Sequence, residues 1–357
     1  MDIWKDILAA LSGVLNALPQ GLLALTFGFA SIPTALAFMV GAFGNAATSN
    51  VAVISYQAES ITLAGTMGRN MRERLSMIFF GAVILTMIGL FGILETMIDW
   101  IGPIITTGMM AGVGIMLSKV AWDMAKSDRI VGITSMFSAL IVYFATKDLV
   151  YTITASVILS SIVYAFTKKE GINLSERPAV KDGFHLQKFI VNPMVIRGAL
   201  AMVCLNIGAN IAFGKINGDI ANTDVNVDTL TVISSLADMV SAIFGGAPVE
   251  IVISATASAP HAVWSGVLMM VLMAIVLVTG LLPKIGKYVP SGSIAGFLFV
   301  LGAIVTLPGN AAMALTGEGA GTGIVGGVTM IVTAITDPFL GMLSGIIVQF
   351  LMNLFGF

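Results

Sequence analysis

Three carboxylates stand inside apolar runs of the chain and are the residues best placed to do chemistry: Glu59, Asp238 and Glu250. A charged side chain within an apolar run is costly, so its presence is a functional hypothesis by default. Glu59 follows a β-branched cluster (Val51, Val53, Ile54) and a polar step through Ser55 and Gln57. One reading makes it a proton or cation site beside a bound solute; the other makes it a structural carboxylate held by backbone amides or a buried base. The scarcity of interior cations favours the first, because a carboxyl group in an apolar site can load and release a proton. Asp238 lies midway along another run, where ion coupling and the tying of one segment to the next both stand open. Glu250 begins a second β-branched cluster (Val249, Ile251, Val252, Ile253) that leads into Ser254, Thr256 and Ser258. It is either a buried site carboxylate or a residue facing an aqueous mouth beside Gly245 and Gly246.

The elements that must position these groups are membrane spans. Of the 357 residues, 57% are hydrophobic and 10% charged, where soluble domains carry about 25% charged residues. Apolar runs fall near 7–30, 32–48, 51–67, 75–98, 101–122, 130–146 and 149–167, and again near 190–213, 229–245, 247–260, 262–283, 290–306, 321–336 and 338–357. At ~20 residues per crossing, fourteen crossings leave no room for a sizeable domain outside the bilayer. The expectation is an all-α, multi-pass protein of the plasma (inner) membrane with fourteen transmembrane segments.

Other classes are excluded by what is absent. The 17 basic and 19 acidic residues nearly cancel, so no nucleic-acid partner is implied. Cys204 is alone, and His185 and His261 have no metal-ligand spacing, so no disulfide, metal or cofactor is expected. The segment GANIAFGKI at 208–216 lacks phosphate-loop spacing and lies in a span, and no hydrolase motif occurs. An enzyme or ATP-driven pump is not expected. Trp4, Trp100, Trp122 and Trp264 lie near run ends, where an aromatic belt belongs. Glu95, Asp99, Asp148, Asp219 and Asp337 fall at run edges and read as interfacial, and Glu318 falls in a glycine-rich loop.

The runs divide into units 1–167 and 190–357 around a polar linker, 168–189. VAVISYQA at 51–58 and EIVISATA at 250–257 match at Val53/Val252, Ile54/Ile253, Ser55/Ser254 and Ala58/Ala257, an offset of 199. Pro103, Gly108 and Gly114 have counterparts in Pro290, Gly296 and Gly302. An odd number of spans per unit sets the halves in opposite orientations, which predicts a 7+7 inverted repeat. Spans 3 and 10 are short, begin with residues suited to extended backbone and continue into small and polar residues. Each therefore reads as a short strand running into a half-helix. A broken span is tolerated only where it is buried or lines a cavity, and a matched pair is the best pointer to a transporter's binding site.

The stretch LADMVSAIFGGAP at 236–248 resembles the GDG-x-x-(T/S)-x-(I/L)-(S/A)-G-(F/L)-F-G-x-x-P motif of the uracil/xanthine permeases, the nucleobase–cation symporters. IGPIITTGMMAGVG at 101–114 is similar to that family's fifth span. The resemblance implies a core domain of spans 1–4 and 8–11 moving against a gate domain of spans 5–7 and 12–14, and a homodimer. Asp238 matches the motif's aspartate. The family's two binding glutamates are absent as such: span 8 offers Asn206 and Asn210 instead, and the span-10 position falls on Ser254. LPQ at 18–20 faintly resembles the first span of the sulfate permeases, which share this fold.

These readings predict a secondary transporter coupled to H⁺ or Na⁺, with a small planar solute such as a nucleobase between the broken spans. Backbone amides around 55–57 and 254–256 would hold the solute. Ser55, Gln57, Glu59, Asn206, Asn210, Glu250, Ser254 and Thr256 are the candidate solute site, and Glu59, Asp238 and Glu250 the candidate coupling site. A sulfate-permease-like anion transporter or channel is the alternative, and a non-transporting membrane scaffold or sensor is the second. Fourteen of the seventeen Lys and Arg flank loops that follow odd-numbered spans. The positive-inside rule therefore puts the linker in the cytoplasm and the termini outside, whereas the resemblance implies cytoplasmic termini. An engineered cysteine at Asn173 should resist an impermeant thiol reagent in intact cells; labelling there would overturn the charge argument.

Overall fold

The computed structural model describes residues 2–167, 182–316 and 321–355. Most of the polar linker, and Glu318, lie outside the described residues. The first unit runs α1 (Asp2–Thr26), α2 (Ser31–Thr48), β1 (Ile54–Ser55), α3 (Ala58–Met67), α4 (Met71–Leu90), α5 (Leu94–Ile101), α6 (Pro103–Ser127), α7 (Arg129–Thr146) and α8 (Leu149–Thr167). The second runs α9 (Pro193–Ala221), α10 (Val227–Phe244), β2 (Glu250–Ile251), a 3-10 turn (Ala255–Ser258), α11 (Ala262–Val278) and α12 (Leu281–Gly286). It continues through α13 (Ser291–Phe299), a π-helical stretch (Val300–Thr306), α14 (Leu307–Leu315), α15 (Thr322–Ile335) and α16 (Pro338–Phe355). Among the described residues nine helices are long and apolar enough to cross a membrane, with Ala262–Val278 and Thr322–Ile335 as shorter apolar helices. With α2 and the two broken elements they make up the fourteen expected segments. The four tryptophans are all exposed, as an interfacial belt requires.

The two units repeat one packing scheme. Helix α2 packs on α11, as its counterpart α10 packs on α4. Helix α1 lies on α11, as α9 lies on α4; α6 meets α15, as α13 meets α7; α7 pairs with α8, as α15 pairs with α16. Each unit also inserts a short helix, α5 or α12, at the same place. Helices α2, α4, α6 and α7 thus pack on helices of the other unit, and each such contact has its symmetry-related copy, as an intertwined inverted repeat requires.

The strands cross at the centre of this scheme. They pair antiparallel, Ile54 with Ile251 and Ser55 with Glu250, and Val252 N donates to Val53 O at 3.1 Å. Val53 and Val252 are also the residues that the sequence offset makes equivalent, so the pseudo-two-fold axis passes between them. Ser55 and Ser254 are not neighbours: in an antiparallel pair they diverge from the axis, about 13 Å apart at ~3.3 Å per residue. The chain entering each strand is held by the preceding helix. Asn45 Nδ2 donates to Ala52 O at 2.7 Å, and Ser241 Oγ donates to Ala247 O at 2.6 Å. Gly21 lets Tyr56, next to β1, lie against α1, for a Cβ there would come within 2.8 Å of its ring.

The described end of the linker is fastened to the same helices. Asp182 accepts from Ile32 N and Ser31 Oγ, both at 2.8 Å, at the start of α2. In a Cys204→Ser background, cysteines replacing Val53 and Val252 should form an intramolecular disulfide under mild oxidation, since facing strand residues meet disulfide geometry. Cysteines replacing Ser55 and Ser254 should not. The reverse result would refute the register and the repeat.

Candidate functional site

The site begins where β1 turns into α3. Gln57 is the N-cap, with extended backbone and no side-chain capping bond. The first N–H groups of a helix have no partner within it, and Gln57 and Glu59, at the start of α3, line a cavity of about 250 Å³. Asn16 and Gln20 of α1, Gln57 and Glu59 of α3, and Thr306 and Asn310 at the end of the π-helical stretch give this cavity its polar wall. Phe213 and Phe297 are among its apolar residues. The π-helical stretch precedes Pro308, which has no N–H to return to the helix ladder, and the widened turns bring Val305 and Thr306 to the wall. Gln57 Oε1 accepts from Ser60 Oγ at 2.5 Å, while Gln57 Nε2 has no partner among the described residues. Glu59 is 7% exposed, and its carboxylate folds back on its own N–H. Acidic residues suit the first turn of a helix, where the dipole is positive.

A second polar group lies behind this wall, against the strands. Glu250 is 1% exposed, which excludes the reading that it faces an aqueous mouth; its place on the crossing strand buries it between α9 and α10. Asn206 Nδ2 donates to one Glu250 oxygen, and Ser234 Oγ donates to the other at 2.9 Å. Asn206 Oδ1 also accepts from Ser60 Oγ at 3.2 Å, linking the network to α3. Asn210, one turn along α9, faces the same carboxylate but reaches hydrogen-bonding geometry with no neighbour. Asp238 Oδ1 accepts from Val249 N at 2.6 Å, and its carboxyl group meets that of Glu250. No ion pair among the described residues involves Glu59, Asp238 or Glu250.

The second broken span differs from its predicted form. After β2 the chain makes only the four-residue 3-10 turn, because Pro260 bars its continuation as an α-helix. Its amides are already used: Ser254 N donates to Asn217 Oδ1 at 3.1 Å, and Thr256 N to Ser254 Oγ at 3.2 Å. Ser254 and Thr256 therefore do not line the cavity, which that span reaches through Val252 and Ile253. The structure brings Gln57 and Glu59 together at the cavity and joins Asn206, Asp238 and Glu250 in the buried network. It leaves Ser254 and Thr256 in a turn pinned by Asn217, and buries Ser55 opposite Glu250. Asn16, Thr306 and Asn310 carried no sequence signal, whereas Gln20 belonged to the LPQ match. Asp337, expected at the interface, is fully buried and paired with Arg197 at 2.5 Å, because it caps the start of α16 against α9.

No protein-family profile and no curated protein sequence matches the chain. Solved structures do. The chain aligns over 97% of its length with 98% of the transmembrane domain of a cyanobacterium bicarbonate transporter, BicA, at 13% identity and a TM-score of 0.66. It aligns over 99% of its length with SLC26A9 at 13% identity and a TM-score of 0.71, covering 66% of that chain. The murine solute carrier 26 family member A9, an anion transporter captured in the inward-facing state, aligns over the same 99% at 14% identity and a TM-score of 0.72, covering 69% of that chain. This likeness shows the fold: the multi-pass membrane fold of those three structures' transmembrane domains. None of the three is a uracil or xanthine permease.

If Asp238 ties α10 to the chain entering β2, truncation leaves a buried N–H unpaired. Asp238→Ala should then lower stability by about 1–3 kcal/mol, read as a fall in the unfolding temperature of the detergent-solubilised protein. Asp238→Asn, which keeps an acceptor for Val249, should stay near the wild-type temperature; equal losses in both variants would deny the tie.

Proposed function

We propose that the chain is a secondary transporter that carries a small anion together with a proton. The observation that carries this reading is the wall at the start of α3, where Gln57, with its unpartnered Nε2, and Glu59 line one cavity. A helix N-terminus bears roughly +0.5 charge and is a ready anion site. No Lys, Arg or His lines the cavity among the described residues, so dipoles rather than ions would hold the solute. An ionised Glu59 beside them repels an anion. Solute and proton therefore bind best together, and by linkage each raises the other's affinity. That reciprocity is what a symporter needs. The folds shared with a bicarbonate transporter and an anion transporter support the anionic choice of solute.

Movement of α1–α4 and α9–α11 as a core against α6–α8 and α13–α16 as a gate would expose the cavity to each side in turn. The packing supports this division, for most close helix contacts fall within one group or the other. A planar nucleobase is the second reading, favoured by the aromatic faces of Phe213 and Phe297 and by the amides of Asn16, Gln20, Gln57 and Asn310. It keeps the coupling and changes only the solute.

Proteoliposomes given labelled bicarbonate, sulfate or uracil under an imposed pH gradient separate the readings. Accumulation of an anion from the acidic side is expected, and Glu59→Gln should reduce it to simple equilibration while the protein remains folded. Accumulation of uracil alone would select the nucleobase, and no flux would favour a non-transporting protein. Wild-type accumulation by Glu59→Gln would remove Glu59 from the coupling.

A further inference from the structure

Helix α3 carries a polar line that continues past Glu59. Glu59, Thr62 and Thr66 are spaced three and four residues apart, which sets them on one helix face. The line threads three cavities. Glu59 lines the 250 Å³ cavity at the start of α3. Glu59, Thr62 and Leu63 line a void of about 10 Å³ one turn on. Thr66 lines a vestibule of about 430 Å³ at the far end of the helix, with Lys119, Asp123 and Arg197. At 1.5 Å per residue the line from Glu59 to Thr66 is about 10 Å long. Thr62 is 1% exposed, and its hydroxyl has no hydrogen-bond partner among the described residues. A buried hydroxyl without a partner carries a desolvation cost, which a protein retains when the group has a use.

We infer that Thr62 is the relay through which Glu59 exchanges its proton with the vestibule opposite the solute cavity. This rests on the reading of Glu59 as the coupling carboxylate. The void matches one water molecule, which needs roughly 10–15 Å³ and at least two polar partners; of its lining residues, Glu59 and Thr62 are the two with polar side chains. Discharge moves one proton. When the void and the vestibule join, the Glu59 O–H proton passes to that water, the water gives a proton to Thr62 Oγ, and Thr62 releases its own to water admitted from the vestibule, leaving Glu59 a carboxylate. The remaining walls are Val113, Met116 and Leu117 of α6, Leu205 of α9 and Pro338 of α16. None of these titrates; the charged groups along the route are Lys119, Asp123 and the Arg197–Asp337 pair. Met116 borders both the void and the vestibule, so movement of α6 relative to α3 would join them. Glu59 would then face the solute cavity in one state and the vestibule in the other.

The test separates net uptake from exchange, because solute-for-solute exchange can proceed with Glu59 protonated throughout. Thr62→Val removes the hydroxyl at nearly constant volume, and losing an unpartnered buried hydroxyl leaves stability unchanged or raised. In proteoliposomes, labelled bicarbonate, sulfate and uracil are each followed as pH-driven uptake and as counterflow against the same unlabelled solute. Thr62→Val should lose most of its pH-driven uptake and keep wild-type counterflow, and Thr62→Ser should restore the uptake. Wild-type uptake by Thr62→Val, or equal loss of uptake and counterflow, would overturn the relay. Glu59→Gln measured alongside tells the two claims apart. If it loses pH-driven uptake while Thr62→Val does not, the relay alone falls; if it retains pH-driven uptake, the coupling reading falls and the relay with it.

Discussion

Extended backbone inside a bilayer has to find hydrogen-bond partners within the protein, and in this chain that requirement is met by two residues from each half. Ile54 and Ser55 pair with Ile251 and Glu250 across the pseudo-two-fold axis. The strands are antiparallel, and beside them the equivalent residues Val53 and Val252 meet through their backbones. Once the crossing is fixed, the start of α3 is fixed, and with it the place of Gln57 and Glu59 at the cavity wall. Asn45, Ser241 and Asp238 reinforce it by holding the chain as it enters the strands. The buried Asn206–Glu250–Ser234 network braces β2 from behind.

The two halves share a scheme and differ where solute would bind. In the first half the strand leads into a ten-residue helix whose N-cap Gln57 and first-turn Glu59 line the cavity. In the second, Pro260 limits the chain to a 3-10 turn whose amides are taken up by Asn217 and Ser254. The second broken span therefore offers the cavity only Val252 and Ile253, while Thr306 and Asn310 bring the second half's polar groups to its wall from the gate side. Glu250 shows the consequence: it occupies the axis but is locked among hydrogen-bond donors, whereas Glu59 borders a cavity without a cationic partner.

Span count and the broken spans were legible because apolar periodicity and β-branched clusters survive in sequence as composition. The offset between the VIS triplets located the axis, since equivalent residues of an inverted repeat must meet there. The outcome at Ser254 and Thr256 was not legible: whether a broken span continues as a helix turned on Pro260, three residues beyond the segment that carries the match. Asn16, Thr306 and Asn310 were hidden for another reason. They reach the cavity from distant spans, and a single amide or hydroxyl in a membrane helix carries no periodic signal. Asp337 lay at a run edge in sequence, yet its pairing with Arg197 draws it into the protein.

The dependence of solute binding on the protonation of Glu59 can be measured without transport. Sulfate, which does not itself titrate near neutral pH, is added to weakly buffered detergent-solubilised protein while binding heat and proton uptake are recorded together. One proton should be taken up with each sulfate bound, and Glu59→Gln should bind sulfate with no proton uptake. Sulfate binding that takes up no proton in the wild-type protein, or the same uptake in Glu59→Gln, would contradict the linkage of solute and proton at α3.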